Sequence, residues 1–185
     1  MTTLSAALAL ALAAAAPRET FVVDPAATVV RFHLTHKLHQ VYGRSSSVEG
    51  KAVVEPDGKV LAMVRIPVAS FDSGDSNRDA HMRETLAAGK HPFVVFKGLT
   101  SLVVPAAHGK PIPMQLRGEL DFHGVTRPIE VPVTVEFASD GTATVRGKMT
   151  VSLEAHEIDR PSLLFVKVGD ACTIELDLKL RRASR

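Results

Sequence analysis

Residues 114–122 read MQLRGELDF, and residues 129–137 read IEVPVTVEF. In the first stretch Met114, Leu116, Gly118, Leu120 and Phe122 alternate with Gln115, Arg117, Glu119 and Asp121. In the second, Ile129, Val131, Val133, Val135 and Phe137 alternate with Glu130, Pro132, Thr134 and Glu136. A period of two sends every apolar side chain to one face of an extended strand and the polar ones to the other. His123-Gly124, between the two stretches, is a turn signal. The pair predicts antiparallel strands that are dry on one side and wet on the other.

The pattern continues outward from there. In 143–151 the set Ala143, Val145, Gly147, Met149 and Val151 shares a face, and in 172–180 so does Cys172, Ile174, Leu176, Leu178 and Leu180. Upstream, Val30, Phe32, Leu34 and His36 share a face in 28–36. Val48, Gly50, Ala52 and Val54 do so in 46–55, and Val60, Ala62, Val64, Ile66 and Val68 in 59–68. In 93–100 Val94, Phe96 and Gly98 face inward because Lys97 belongs in water. Pro56-Asp57-Gly58, the span Pro105 to Pro113, Asp140-Gly141 and Gly169-Asp170 separate the runs. About eight antiparallel strands with short connections fit a sandwich or a closed up-and-down barrel.

With 185 residues the chain is read as one domain with room for a real core. A net charge of +2, with basic and acidic residues interleaved, argues against nucleic acid as a partner. Residues 1–16, MTTLSAALALALAAAA, lack charged side chains and end in small residues, as the apolar core of an export signal does. The run is shorter than the about 20 apolar residues of a membrane span. The single cysteine, Cys172, excludes an internal disulfide and falls on an apolar face, which predicts a buried, inert thiol.

One stretch breaks the alternation: FDSGDSNRDAHMRE, residues 71–84. Ser76 followed three residues later by Asp79 has the form of a capping box, and Met82 and Leu86 make an i, i+4 apolar stripe. Gly89 offers a left-handed stop, and Pro92 forbids continuation. These signals predict a short helix over 76–88, between the third and fourth strands. Arg78 is placed to pair with Asp72 or Asp75, or to meet an anionic ligand group at a barrel mouth.

Catalytic chemistry finds little support. There is no Gly-x-Ser-x-Gly and no phosphate-cradling glycine loop, and Asp79 and His81 have no nucleophile or metal beside them. His33, His36 and His39 are spaced by three, which on a strand sends His36 to the face opposite its neighbours. His36 is either a polar handle for a ligand or a buried side chain bonded to backbone. A metal- or redox-associated accessory role through these histidines is kept as an alternative. Leu163-Leu164-Phe165 is either a plug on the barrel end or a portal making transient membrane contact.

FVVDPAATVVRFHLTH (21–36), Gly43 with Val48-Glu49-Gly50, NRDAHMRE (77–84), KHPFVVFKG (90–98) and GELDFHGVTRPIEVPV (118–133) together resemble the YceI-like family, in order and spacing, over nearly the whole chain after residue 16. The segment 154–170 departs from the family in lacking a Phe-Gly pair. The resemblance implies an all-β fold: an eight-stranded antiparallel, up-and-down, lipocalin-like barrel over 20–182. It also implies a periplasmic or secreted protein without cofactor or catalytic machinery, whose partner is an isoprenoid or other long-chain lipid.

On that reading the chain of the lipid lies along Val30, Phe32, Leu34 and His36 of the first strand. It continues past Val64 and Ile66, Val94 and Phe96, and Leu116 and Leu120, then Val133, Val145, Met149, Ile174 and Leu176. Arg78, with His81 and Arg83, is expected at its polar end. Gly50, Ala52, Ala62, Gly98, Gly118, Ala143 and Gly147 fall on the same inward phase, and small residues there leave space. The competing expectation is that large and small side chains interdigitate, giving a filled barrel that acts as a stress-related interaction protein.

Overall fold

The computed structural model describes residues 17–35, 40–102, 108–160, 162–163 and 166–183, with backbone alone at 162–163 and 166–167. The strands are β1 (Glu19–Val23), β2 (Val29–Thr35), β3 (Gln40–Ser45), β4 (Glu49–Val54), β5 (Lys59–Pro67), β6 (Phe93–Ser101), β7 (Ile112–Phe122), β8 (Val125–Phe137), β9 (Thr142–Ser152), β10 (Ser162–Leu163), β11 (Val166–Lys167) and β12 (Ala171–Arg182). One helix, α1 (Ser76–Thr85), joins β5 to β6. Apart from the small β10–β11 hairpin, the strands form one sheet in the order β1-β4-β5-β6-β7-β8-β9-β12-β2-β3.

The ten segments of that sheet make eight barrel strands. β1 and β2 both lie on β12, end to end: Val23 pairs with Leu180 and Val29 with Asp177. A single turn at Pro25–Ala27 separates them, its first amide bonded to the Asp24 carboxylate. β3 and β4 continue one another in the same way, β3 against β2 and β4 against β1. Pairing of β1 with β12 closes the barrel. The eight-stranded, antiparallel, up-and-down barrel expected from the resemblance is therefore formed. Two of its strands are broken, and the expected runs 28–36 and 46–55 cover only one half of each.

Two apolar clusters close the two ends. At the end that carries the helix, Val41, Val68, Leu86, Leu153, Ile158, Val168 and Cys172 are buried together, with Met82 packed against them. At the opposite end Phe21, Val54, Val60, Leu102 and Leu180 are buried, and the Phe21 and Phe137 rings are tilted at a centroid distance of 5.7 Å. The Met82–Leu86 stripe thus faces the barrel, as its spacing requires.

The helix differs from expectation at both termini. Its cap is Asp75, whose carboxylate accepts from the amides of Asn77 (2.9 Å) and Arg78 (3.1 Å). Asp79 instead accepts from the amide (2.9 Å) and hydroxyl (2.6 Å) of Ser73. Asp75 is extended (φ −139°), so it is the residue that can turn its side chain back over the first free amides. At the other end the left-handed residue is Ala87 (φ 45°), not Gly89. The Ala87 amide reaches the Glu84 carbonyl and the Ala88 amide that of Arg83, a Schellman closure that stops the helix at Thr85.

Candidate functional site

The pleat carries the inward residues of all eight strands to one interior, and there they surround an apolar cavity of about 170 Å³. Its wall is hydrocarbon except at Thr100 and Lys51, and Lys51 is an exposed residue of β4. The charged side chains stand on the outer face as cross-strand pairs. Examples are Arg65–Glu49, Arg117–Glu130 at 3.0 Å, Arg146–Asp177 at 3.5 Å and Lys148–Glu175 at 2.9 Å. Such exposed pairs contribute little stability, but their placement leaves the interior uncharged.

Space arises where small side chains fall in register. Ala52 pairs with Ala62, Ala62 with Gly98, and Gly98 with Gly118, so one band across β4 to β7 carries no bulk of its own. Larger residues stand on the facing wall, among them Val145, Met149, Ile174 and Leu176. Ala62, Val64, Phe96, Leu116, Met149 and Leu176 border the cavity and yet are only half-buried. In a filled barrel, side chains at that depth would lose nearly all their accessible surface.

The structure places the residues singled out above as follows. Val30, Val64, Ile66, Val94, Phe96 and Leu116 border the cavity, as do Leu120, Val133, Val145, Met149, Ile174 and Leu176. Phe32 and Leu34 do not: they pack into the cluster at the helix end, where the Phe32 ring meets Phe71 edge-on at 5.6 Å. His36 and His39 lie outside the described residues. His33 is on the outer face, stacked on Tyr42 at 4.5 Å. Among the described residues no three His, Cys, Asp or Glu side chains converge as a metal site requires.

The expected polar end is not assembled. Arg78 donates from Nε to the Ser73 hydroxyl (2.9 Å) and from Nη2 to the Ser73 carbonyl (3.1 Å), which fixes the turn before the helix rather than pairing with Asp72 or Asp75. Asp72 lies 3.9 Å from Arg44 instead. His81 is exposed beside Glu84, and neither His81 nor Arg83 borders the cavity. Leu164 and Phe165 lie outside the described residues, as does the Leu163 side chain, so the plug-or-portal segment is not part of the site described here.

Two buried groups complete the helix end. Burial pushes the Cys172 thiol up to about 12, against a smaller lowering by the His33 amide, which makes it inert near neutral pH. His156, which the periodicity gave no reason to single out, is 4 % exposed. Its Nδ1 lies 2.9 Å from the Ser152 carbonyl, and its Nε2 has no hydrogen-bond partner among the described residues.

An uncharged, hydrocarbon-walled interior inside a closed antiparallel barrel defines the class: a lipocalin-like β-barrel with an internal apolar cavity. Residues 21–180 match the YceI-like domain, and the chain belongs to the YceI-like family. Among curated relatives, a UPF0312 protein of Vibrio parahaemolyticus is 27% identical over 94% of this chain and 92% of its own. Among solved structures, a polyisoprenoid binding domain from Saccharophagus degradans implicated in plant cell wall breakdown aligns with a TM-score of 0.75 at 16% identity. That alignment covers 88% of this chain and 98% of the other. Burkholderia cenocepacia BcnA aligns with a TM-score of 0.70 at 23% identity over 85% of this chain and 98% of the other.

Proposed function

We propose that the barrel holds a long amphiphilic chain, isoprenoid-like or fatty, in its lumen and does not alter it chemically. The observation that carries this reading is the set of half-buried apolar side chains around an uncharged internal cavity. Each CH₂ placed there gains about 0.8 kcal/mol, set against the cost of association. Membership of the YceI-like family and the likeness of fold to a polyisoprenoid binding domain support the ligand class.

Two features narrow the ligand. Apart from the exposed Lys51, the wall has no cation, so a carboxylate head drawn inside would lose its hydration without compensation. The chain that fits best has an uncharged head or leaves its head outside. A void of about 170 Å³ is also small; an apolar cavity of about 150 Å³ admits a benzene-sized molecule. A long chain is held only if side chains such as Met114 and Met149 swing aside, and methionine is suited to that.

The apolar run at residues 1–16 supports a place outside the cytoplasm, periplasmic or secreted, for this activity. Native mass spectrometry of protein purified from its own compartment, followed by solvent extraction, tests the reading. A discrete added mass that leaves with organic solvent is expected. A bare polypeptide that also fails to take up a polyprenyl probe overturns it in favour of a filled barrel, and a metal-sized increment does so in favour of the histidine reading.

A further inference from the structure

We propose that the seam between β8 and β9 is a lateral port through which an apolar chain passes between the outside and the lumen; the proposal rests on the lumen reading above. β7 and β8 are paired from Ile112↔Val135 through to Phe122↔Val125, and β9 and β12 along their whole shared length. β8 and β9 pair only from Phe137↔Ala143 to Val133↔Gly147. Beyond that point both strands continue, β8 over Val125–Pro132 and β9 over Lys148–Ser152, with no residue of one paired to the other. β6 and β7 also part after Leu99↔Arg117, but there β6 itself ends at Ser101.

The sequence of β8 explains the gap. The β7–β8 turn has positive φ at both His123 (57°) and Gly124 (77°), a two-residue hairpin in which Phe122 and Val125 exchange both backbone hydrogen bonds. Successive residues of a strand turn their amides to opposite neighbours. The odd-numbered residues of β8 therefore serve β7, and the even-numbered ones serve β9. Pro128 and Pro132 are both even. Each removes a donor from the edge that faces β9, while the edge facing β7 keeps all of its own.

Side chains hold this seam closed, not backbone bonds. Val131 is 2% exposed in a cluster against which Met149 packs. Past it, the strand ends are clasped by Arg127, whose Nε donates to the Ala155 carbonyl at 3.0 Å, and by His123, whose Nδ1 lies 3.3 Å from the His156 carbonyl. The slot between this clasp and Gly147 is roughly 15 Å long at ~3.3 Å per residue, enough for a chain lying side-on. Among the described residues, Leu86 and Ile158 at one end of the barrel and Leu102 and Leu180 at the other are buried, so apolar packing fills both ends there. Parting Val131 from Met149 breaks no ladder hydrogen bond.

The test uses stopped-flow uptake of the uncharged fluorescent polyene methyl parinarate by the full chain. A cleavable thiol-to-thiol bridge is placed across the seam in Glu130→Cys/Thr150→Cys. A control bridge in Met63→Cys/Lys97→Cys spans the complete β5–β6 ladder, where those two positions are paired. Bridging the seam is expected to slow uptake and release at least tenfold, with recovery on reduction, while the control bridge leaves both unchanged. Uptake indifferent to the seam bridge overturns the port alone. Absence of uptake by the unbridged protein overturns the lumen reading and the port with it. Pro128→Thr/Pro132→Thr restores both donors. It is expected to slow amide hydrogen exchange at Thr150 and Ser152 about tenfold together with uptake, and exchange at these two amides already as slow in the parent protein as in the paired half of β9 counts against the port independently of any ligand.

Discussion

The Phe96 ring lies over Gly98, two residues along on the same face of β6: a Cβ built on Gly98 would meet Cζ of that ring at 2.4 Å. The glycine is the space into which the ring folds, and the folded ring is what leaves the rest of the lumen open. Gly98→Ala pushes the ring into the cavity. The expected cost is about 1–3 kcal/mol, the usual range for overpacking, measured by urea unfolding. Binding of a polyprenyl probe should weaken in the same variant, because the displaced ring occupies the site. Unchanged binding with lowered stability would mean that the ring finds room elsewhere.

Ala87 ends the helix with φ 45°, where a Cβ crowds the following carbonyl. Gly removes that penalty and keeps the two closing hydrogen bonds. Ala87→Gly should therefore stabilise the protein by about 0.5–1 kcal/mol, read as a rise in the urea midpoint at unchanged slope. The same substitution at Ala80, inside α1, should destabilise by a similar amount.

The alternation in β7, β8, β9 and β12 was legible because each is a long strand with one wet face. Period two reports which face a side chain takes, however, and not how far along the barrel it sits. That is why the alternation puts Phe32 and Leu34 on the inward phase while the structure packs them into the closed helix end and not along the cavity, a position that depends on the stagger of the strands. The breaks at Pro25–Ala27 and between Ser45 and Glu49 keep the chain on the same partner strands, so they leave the pattern on either side intact and give no sign of themselves. At the helix, Asp75 and Ser76 are both good caps, and only backbone geometry chooses between them. Arg78 was expected beside a carboxylate, but the turn brings the Ser73 hydroxyl and carbonyl into its reach. Pro128 and Pro132 stand two and six residues after Thr126, but which neighbour they deprive of donors is set by the two-residue turn at His123-Gly124, and the spacing alone does not carry that.

Asp75 couples the helix to pH. Its carboxyl is held below the ordinary 3.8, first by the Arg78 amide and then by the Asn77 amide and the Arg78 charge, against a rise from desolvation. A depressed folded value means that the cap contributes fully above pH 3.8 and is lost as pH falls through the folded value. Asp75→Ala should lower the thermal midpoint at pH 7, and the difference from the parent protein should shrink as the pH drops below 3.8. Asp75→Asn, which still accepts both amides, should keep most of the stability at pH 7 and remove this share of the acid sensitivity. Paired melting curves from pH 7 to 2.5 check both.

Cys172 gives the sharpest chemical readout of the closed helix end. Burial raises its thiol from 9.0 to about 12, so below pH 9.0 the folded protein holds about a thousandfold less thiolate than the unfolded chain. Reaction with an aromatic disulfide at pH 8 should be slower in the native protein than in urea by at least that factor, because the thiol is also shielded from the reagent. The raised value makes the folded state prefer the protonated thiol. The contribution is complete below pH 9.0 and is lost as pH rises toward 12, since only the unfolded chain then ionises freely. Leu86→Ala opens the packing next to this thiol. It should accelerate labelling through local opening well before global unfolding, measured as the labelling rate in sub-denaturing urea. Equal labelling rates in the parent and the variant would mean that α1 does not seal this end.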